Sequence, residues 1–372
     1  MSLIDLRNQL DALDQQLLDL IGERQRTIAQ IGEIKRSMGK PLRDFRREKE
    51  VLDLAEANAA ARGLDRGLAR ELMKLLIQHS LTTQENEQLR AEARGDGRRA
   101  LVIGGAGQMG RWFARFLDSQ GFLVDIVDPA VVDPTTSTIE PHGPDGFAQR
   151  AFLGDGACDH DLVLVAAGIT ASNAVMIELA TLHPPGVVID VASIKAPLTQ
   201  GYAALQAAGV ATASMHPMFG PSAMLLADRH VVVIDLGHPR ATAMARQLFA
   251  ATTAQVVEMS LAEHDRLMAE VLGLSHAVNI VFAAALAEGG QDEGRLDRIS
   301  SATFNAQTRV TRAVVNENPH LYYEIQSLNP NSSEVLDRLA NALDRLRAAL
   351  ANGDRAAFAE LMRRGRCQLG AP

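Results

Sequence analysis

The chain is poor in cysteine and in positive charge. It holds two cysteines, Cys158 and Cys367, among 372 residues, which indicates a reducing compartment and argues against a disulfide framework. Its net charge of -8 argues against nucleic acid as the main partner. It shows neither the apolar segment of a secretion signal nor a run of about 18 apolar residues, so we expect a cytoplasmic protein that does not contact a membrane. We predict no metal site.

The first quarter of the chain also lacks the residues of a β-sheet. Residues 1–90 contain one proline, Pro41, and one aromatic residue, Phe45. Their apolar residues recur every three or four positions, which predicts three helices: one ending near Gly39, one from about Asp44 to Ala61, and one from about Gly67 to Leu89. Because a first helix of this length can hardly belong to a compact monomer, we expect two chains to intertwine as a homodimer.

A glycine-rich stretch follows this helical module. Residues 101–110 read LVIGGAGQMG, an apolar run and then G-x-G-x-x-G, which predicts a strand, a tight turn and a helix whose amides receive a pyrophosphate. An acid ends the next apolar run 18 residues after Gly110, near the spacing of about 20 expected for a carboxylate that grips the adenine ribose. An acid there favours NAD over NADP. The alternative is an ordinary glycine turn. The predicted cofactor-binding residues are Gly105, Gly107, Gln108, Met109, Gly110 and Asp128.

Buried strands and helices alternate through the rest of this region. Apolar runs at 161–166, 186–193 and 229–235 are separated by helical patterns such as 171–182 and 198–208. Residues 129–144 read as a variable loop. The alternation predicts a doubly wound, mainly parallel sheet whose ligands bind at the carboxyl ends of the strands.

Polar residues follow two of these strands. Asp190, Ser193 and Lys195 follow one, and His216-Pro217 follows the other. A histidine at a strand end that is rimmed by proline and glycine is poorly explained as a core residue, so we predict a functional role for His216.

The helical module carries polar residues at matching positions. Arg24 and Lys35 are 11 positions apart and lie within about 20° of one helix face. Arg7 is 17 positions from Arg24, roughly 26 Å along the helix, so a small ligand that binds both needs Arg7 of a partner subunit. Taken singly, each polar residue is better explained by a solvated helix face. The further residues that share faces are Asp44, Arg47 and Glu48 on the second helix, and Ser80 and Gln84 on the third.

As a set, these residues resemble the all-helical chorismate mutases. The motifs are Leu6-Arg7, Gly22-Glu-Arg24, Gly32-Glu-Ile-Lys35, Arg43-Asp44-Phe-Arg-Arg47-Glu48 and His79-Ser80-Leu-Thr-Thr-Gln84. The resemblance implies that Arg7 of the partner subunit, Arg24 and Arg47 hold two carboxylates. It also implies that Lys35 and Gln84 face the ether oxygen and that Asp44, Glu48 and Ser80 position the ring. The rearrangement of chorismate to prephenate needs fixed charges and no nucleophile, acid or base.

The second half resembles the prephenate dehydrogenase family. Asp190-Val-Ala-Ser193-Ile-Lys195 and His216-Pro-Met-Phe-Gly-Pro221 carry this resemblance, and the two resemblances together cover nearly the whole chain. They imply a bifunctional enzyme in which His216 hydrogen-bonds the ring 4-hydroxyl while a hydride leaves C4 for NAD. Carbon dioxide is then lost and 4-hydroxyphenylpyruvate forms. Ser193 would orient His216 or the hydroxyl, and Lys195 would pair a carboxylate.

Residues 259–372 resemble the helical C-terminal domain of that family, which pairs two subunits and closes the pocket. We predict one long helix from Ser260 to Glu288 and further helices at about 334–351 and 355–366. The resemblance places His276 near the substrate, whereas both His264 and His276 remain open to a purely structural role. The predicted domains are residues 1–92, a helical chorismate mutase module; 99–258, an α/β Rossmann domain; and 259–372, an all-α dimerisation domain.

This half departs from the family's pattern where arginines are expected to bind substrate carboxylates. An ungapped alignment places Asn305 and Ala313 there; Arg309 and Arg312 are out of register, and a slip of one residue would make Arg312 the ligand. Residues 166–170, AAGIT, also differ from the usual segment beside the nicotinamide. Because a guanidinium fork is not easily replaced, the substrate could be the 4-amino-4-deoxy analogue of prephenate. A third reading is a domain that senses NAD or an aromatic ligand and regulates the mutase.

Overall fold

The N-terminal module is entirely helical over its described residues. The computed structural model describes residues 2–38, 44–91, 95–132, 142–155, 158–223, 226–227, 229–290 and 293–370. The three helices are α1, Leu3–Ser37; α2, Phe45–Ala61; and α3, Arg66–Ala91. Side chains cap two of them, because Ser2 and Asp5 form a reciprocal capping box on α1 and Asp44 accepts from the Arg47 amide on α2. The predicted end of α1 at Gly39–Pro41 lies outside the described residues.

The first half of α1 has no apolar partner within the described chain. Leu10 and Leu13 are 57% and 53% exposed, although both belong to the apolar stripe that the sequence predicts. Such a stripe needs a cover in solution, and a second copy of α1 supplies it in an intertwined dimer. The homodimer therefore stays the interpretation that best fits this helix.

The central region is an eight-stranded sheet in the order β3-β2-β1-β4-β5-β6-β7-β8. Every neighbouring pair is parallel except β6 and β7, which are antiparallel. This confirms the prediction of a doubly wound, mainly parallel sheet, with two short edge strands, β3 and β8, that the sequence did not reveal. The strands are β1, Arg99–Ile103; β2, Leu123–Val127; β3, Ala148–Arg150; β4, Leu162–Val165; β5, Val187–Asp190; β6, Thr212–Pro217; β7, His230–Ile234; and β8, Gln255–Met259.

Helices cover both faces of this sheet and bury two apolar clusters. On one face Phe113, Leu117 and Phe249 pack against the strands, and on the other face Met176 and Leu205 do so. This two-layer burial leaves the carboxyl ends of β1, β4, β5 and β6 together at one edge. The covering helices are α4, Gln108–Ser119; α5, Ile169–Leu182; α6, Thr199–Ala207; and α7, Pro239–Phe249.

The C-terminal region returns to helices. The predicted long helix is present over Leu261–Glu288 but contains a π-helical turn at Ala269–Leu274, which divides it into α8, Leu261–Met268, and α9, Ser275–Glu288. By length and mean hydropathy this stretch is apolar enough to cross a membrane, and 28% of its most apolar window is buried; a helix at a soluble core or interface passes the same test. The remaining helices are α10, Glu293–Arg298; α11, Ala302–Val315; α12, Pro319–Leu328; α13, Ser332–Ala351; and α14, Arg355–Gln368.

Candidate active sites

The glycine-rich turn joins β1 to α4 at the carboxyl edge of the sheet. Gly104 has a φ of +82°, which favours glycine. A Cβ on Gly105 would overlap the side chain of Ile126, and one on Gly110 would overlap the Gly104 carbonyl. The turn therefore keeps its backbone close to β2 and leaves its outer side open to a ligand.

The first turn of α4 presents unpaired backbone donors. Gly107 is the N-cap residue and gives the helix no side-chain cap, so the amides of Gln108, Met109 and Gly110 have no partner inside the helix. Such amides and the positive end of the helix dipole bind phosphate oxygens. These features fit the pyrophosphate of a dinucleotide.

Asp128 stands at the end of β2 beside this turn. Its carboxylate accepts from the Ala106 amide at 3.0 Å and from the Ala130 amide at 2.8 Å. Each oxygen keeps a lone pair for a ribose hydroxyl. A 2′-phosphate at the same place would meet a negative charge.

His216 lies at the end of β6 in a line of three buried side chains. Its Nδ1 is 2.9 Å from His264 Nε2, and His264 Nδ1 is 2.7 Å from Asp265 Oδ1. Asp265 also accepts from the backbone amides of Lys195 and Ala196, at 2.9 and 2.6 Å. The line therefore joins β6, α8 and the segment after β5.

The hydrogen-bond chemistry assigns the protons along this line. An ionised Asp265 can only accept, so His264 carries its proton on Nδ1 and accepts at Nε2. His216 must then donate from Nδ1, which leaves a lone pair on its Nε2. Because that atom has no proton, His216 is set to accept one from a substrate.

Electrostatics keep His216 neutral. Burial, followed by the nearby His264 and Lys195, holds the pKa of His216 well below its ordinary value. Burial also lowers the pKa of His264, although Asp265 opposes the shift. Burial would raise the pKa of Asp265, but the hydrogen bonds from His264 and the two amides outweigh it and lower that pKa. Both imidazoles are therefore neutral and Asp265 is ionised near pH 7.

Lys195 lies inside the protein and has two hydrogen-bond partners there. It is fully buried, and its Nζ donates to Asp190 Oδ1 at 2.6 Å and to the Met215 carbonyl at 2.7 Å. The buried ammonium thus has Asp190 as its partner, and the pairing of Lys195 with a substrate carboxylate stays a prediction. Tyr202 joins the same network by donating to Asp190 at 2.8 Å. The network supports the backbone of β6 directly before His216.

Ser193 and His276 occupy different surroundings. Ser193 is half-buried, and among the described residues the structure records no hydrogen bond to its hydroxyl, so His264 rather than Ser193 orients His216. His276 stacks on Tyr322 with ring centroids 4.2 Å apart. Its buried Nδ1 has no hydrogen-bond partner in the described chain, and burial lowers its pKa.

The unusual segment at residues 166–170 has a structural partner in the helical domain. Glu324 of α12 accepts from the Thr170 hydroxyl at 2.6 Å and from the Ile169 amide at 3.2 Å. The carboxylate thereby caps the N-terminus of α5. Nothing in the sequence pattern indicated this contact between domains.

Helix α11 packs on α9 through polar side chains. Thr311 donates to Asn279 at 2.8 Å, and Gln307 donates to the same oxygen at 3.0 Å. Asn305, Arg309, Arg312 and Ala313 are exposed in the single chain.

Three of the predicted mutase residues, Arg24, Ser80 and Gln84, meet between α1 and α3. Arg24 donates to the Ser80 hydroxyl at 2.7 Å and to the Leu76 carbonyl at 3.2 Å, and burial lowers its pKa. Gln84 is buried and donates to the Ile28 carbonyl at 3.1 Å. These contacts hold the polar face that the helical spacing predicts.

The other mutase residues lie at the edges of this module. Lys35 is half-buried on α1, about three turns beyond Arg24, and Glu48 is half-buried on α2. Arg47 pairs with Glu50 at 3.2 Å, and Asp44 caps α2. Arg7 is exposed on the first half of α1, away from Arg24 of its own chain, as the spacing predicts.

Family models match three parts of the chain. Residues 6–85 match chorismate mutase type II. Residues 148–258 match the nucleotide-binding domain of prephenate dehydrogenase, and residues 260–364 match its dimerization domain.

Curated relatives agree with this division. The T-protein of Enterobacter agglomerans is 26% identical over 353 residues, which cover 95% of this chain and 89% of that protein. A 4-amino-4-deoxyprephenate dehydrogenase of Streptomyces pristinaespiralis is 30% identical over 278 residues, which cover 73% of this chain and 91% of that protein.

Solved structures share the fold of the second and third regions. A crystal structure of prephenate dehydrogenase from A. aeolicus in complex with hydroxyphenyl propionate and NAD+ superposes with a TM-score of 0.57 and 17% identity, covering 73% of this chain and 96% of that chain. With the mutase match ahead of both dehydrogenase domains, the chain belongs to the bifunctional family that joins a chorismate mutase to a prephenate dehydrogenase.

Proposed function

We propose that the chain rearranges chorismate to prephenate and then converts prephenate to 4-hydroxyphenylpyruvate and carbon dioxide with NAD. The line from His216 through His264 to Asp265 carries the second half of this proposal. A neutral imidazole with its free lone pair at a strand end is a proton acceptor that needs no further activation. The buried polar network around it holds that lone pair in one orientation.

His216 Nε2 takes the proton of the ring 4-hydroxyl while the C4–H bond breaks and its electron pair leaves as hydride. Bound NAD supplies the hydride acceptor. The positive charge that develops on His216 is stabilised through His264 by the Asp265 carboxylate. When the ring carboxylate leaves as carbon dioxide, the electron pair of the broken C–C bond makes the ring aromatic, and the 4-oxygen takes the proton back from His216. Ser193 and His276 are proposed to contact the substrate, because each offers a polar atom without a partner in the described chain.

Arg24, Ser80 and Gln84 support the mutase half. Their contacts pre-set cationic and amide donors between α1 and α3, so little reorganisation is needed when negative charge develops on the ether oxygen. Lys35, Asp44, Arg47 and Glu48 are proposed to complete this site, together with Arg7 of the partner subunit. The exposed leucine stripe of α1 supports an intertwined dimer that would bring that arginine close.

NAD is proposed as the cofactor because of Asp128. The turn at Gly105–Gly110 fits any dinucleotide, whereas the carboxylate at the end of β2 fits ribose hydroxyls and opposes a 2′-phosphate.

The 4-amino-4-deoxy analogue of prephenate is a second candidate substrate. Two observations favour it: the relative from Streptomyces pristinaespiralis is 30% identical, and Asn305 and Ala313 stand where carboxylate-binding arginines are expected. If prephenate is the substrate, we propose Arg312 as the cation that replaces them.

A parallel assay separates the two substrates. Chorismate and 4-amino-4-deoxychorismate are supplied with NAD to the same purified protein, and kcat/KM for NADH formation is compared. We expect chorismate to be used with the higher kcat/KM. If kcat/KM is roughly a hundredfold higher for the amino compound, about 2.7 kcal/mol, the proposed substrate is the amino analogue of prephenate. The proposed fold and reaction type would be unchanged.

A further inference from the structure

Glu85 is a buried carboxylate that the proposed chemistry does not use. It lies near the C-terminal end of α3 in the mutase module and is 2% exposed. Its Oε2 accepts from the Leu226 amide at 2.8 Å, and its Oε1 accepts from the Thr253 amide at 3.1 Å and from the Thr253 hydroxyl. A carboxylate this deeply buried is tolerated only when several donors meet it. All three donors belong to the nucleotide-binding domain.

Leu226 belongs to the connection that starts directly after His216 and Pro217. The base of this connection is closed, because the Met218 amide donates to the His230 carbonyl at 2.9 Å. Its outer part is held at two places: Trp112 Nε1 donates to the Ala223 carbonyl at 2.9 Å, and Glu85 accepts from Leu226. The mutase helix thus holds the backbone of Leu226, ten positions after the proposed proton acceptor of the other site.

Neighbouring turns of α3 carry residues that face both proposed sites. Ser80 and Gln84 point toward α1, where they contact Arg24 and the Ile28 carbonyl. Glu85 is about 100° further round the helix and points toward the dehydrogenase. One rigid element therefore carries the mutase donors on one side and the anchor of the dehydrogenase segment on the other.

We propose that Glu85 is a positioning residue of the dehydrogenase contributed by the mutase module. It acts through Leu226 and Thr253, and it holds the segment after His216 in the position that binds the ring substrate. The proposal rests on the proposed dehydrogenase function, and each variant is compared with the unmodified protein, using whichever ring substrate that protein oxidises. If the proposed substrate is wrong, the unmodified protein will not oxidise it. If the role of Glu85 is wrong, the unmodified protein will be active and the variants will match it.

Glu85→Gln is the sharpest variant, because the amide is nearly the same size as the carboxylate. In either orientation of the amide, its NH2 group faces a backbone N–H group, that of Leu226 or that of Thr253. A backbone N–H group cannot accept a hydrogen bond, so one contact is lost. We expect KM for the directly supplied ring substrate to rise roughly tenfold with kcat within about threefold. Mutase kcat/KM should stay within about twofold, because Arg24, Ser80 and Gln84 are untouched. Glu87→Gln is the matched control: Glu87 pairs with Arg36 of its own module at 3.4 Å and should leave both activities unchanged.

A second pair of variants keeps the test decisive if Glu85→Gln folds poorly. Thr253→Val removes the hydroxyl donor and should raise the same KM about threefold or more, whereas Thr253→Ser keeps the donor and should restore it. The effects of Glu85→Gln and Thr253→Val should also be non-additive, because they break one contact. An unchanged dehydrogenase KM in the folded variants, or an equal fall of mutase and dehydrogenase activity with Tm, would overturn the proposal.

Discussion

At the scale of residues, the chemistry of His216 depends on neighbours whose contact with it no sequence pattern predicted. The histidine itself was predictable, since it follows an apolar strand and precedes a proline and a glycine. Its proton state was not, because that depends on His264 and Asp265, which come 48 and 49 positions later in the chain. The sequence left His264 open between a core residue and a site residue. The structure shows that it is both buried and bonded to His216.

Replacing His216 by asparagine tests its role as proton acceptor. His216→Asn keeps a donor toward His264 but has no basic atom, so dehydrogenase kcat should fall roughly 10²–10⁴-fold. Binding of NAD should be unchanged, which a titration of the single tryptophan, Trp112, in α4 measures. Turnover close to normal in that variant would remove His216 from the reaction.

The lowered pKa of His216 gives a second prediction. Only the neutral imidazole accepts a proton. Because the pKa of His216 is lowered, the ring stays neutral at pH 6.5 and somewhat below it. We therefore expect kcat/KM of the dehydrogenase to be flat from about pH 6.5 to 8 and to fall on the acidic side only below the ordinary histidine value of about 6.5. Stability should decline over the same acidic range, because the unfolded chain binds the proton more readily than the folded one. An acidic limb with an apparent pKa above 6.5 would contradict this account.

At the scale of elements, periodicity predicted most helices and strands, and it failed where contacts override it. Strand β3 has three residues and β8 is mostly exposed, so neither shows a clear apolar run. The helix after Ser260 was predicted as continuous, whereas it contains a π-helical turn that contacts α12 and α13. The contact between Lys195 and Asp190 could not be recognised from spacing alone. Glu85 and Glu324 join domains, and no local pattern identifies such contacts.

The unit made of β1, the glycine turn, α4 and β2 predicts the cofactor preference. Asp128 accepts from the Ala106 amide and is placed to accept from ribose hydroxyls, so kcat/KM with NAD should exceed that with NADP by roughly tenfold or more, about 1.4 kcal/mol. Asp128→Ser should lower the ratio of kcat/KM with NAD to kcat/KM with NADP, mainly by weakening the binding of NAD. Equal kcat/KM with the two cofactors in the unmodified protein would show that Asp128 does not distinguish a ribose hydroxyl from a 2′-phosphate.

At the scale of the whole molecule, two active sites share one chain and meet through α3. The proposed mutase site lies between α1 and α3, whereas His216 lies at the carboxyl edge of the sheet. Glu85 of α3 contacts Leu226, ten positions after His216, and belongs to neither catalytic set. These contacts support two chemically separate sites that are linked structurally through α3.

The most direct test of two separate sites compares Lys35→Ala with the unmodified protein and uses His216→Asn as its mirror. Each protein receives chorismate with NAD, or prephenate with NAD, and both NADH and accumulated prephenate are measured. Lys35→Ala should lower NADH formation from chorismate by on the order of a hundredfold and leave it nearly intact from prephenate. His216→Asn should consume chorismate normally and accumulate prephenate. Equal loss of both activities in each variant would mean that the two halves share a single site, which would contradict this account.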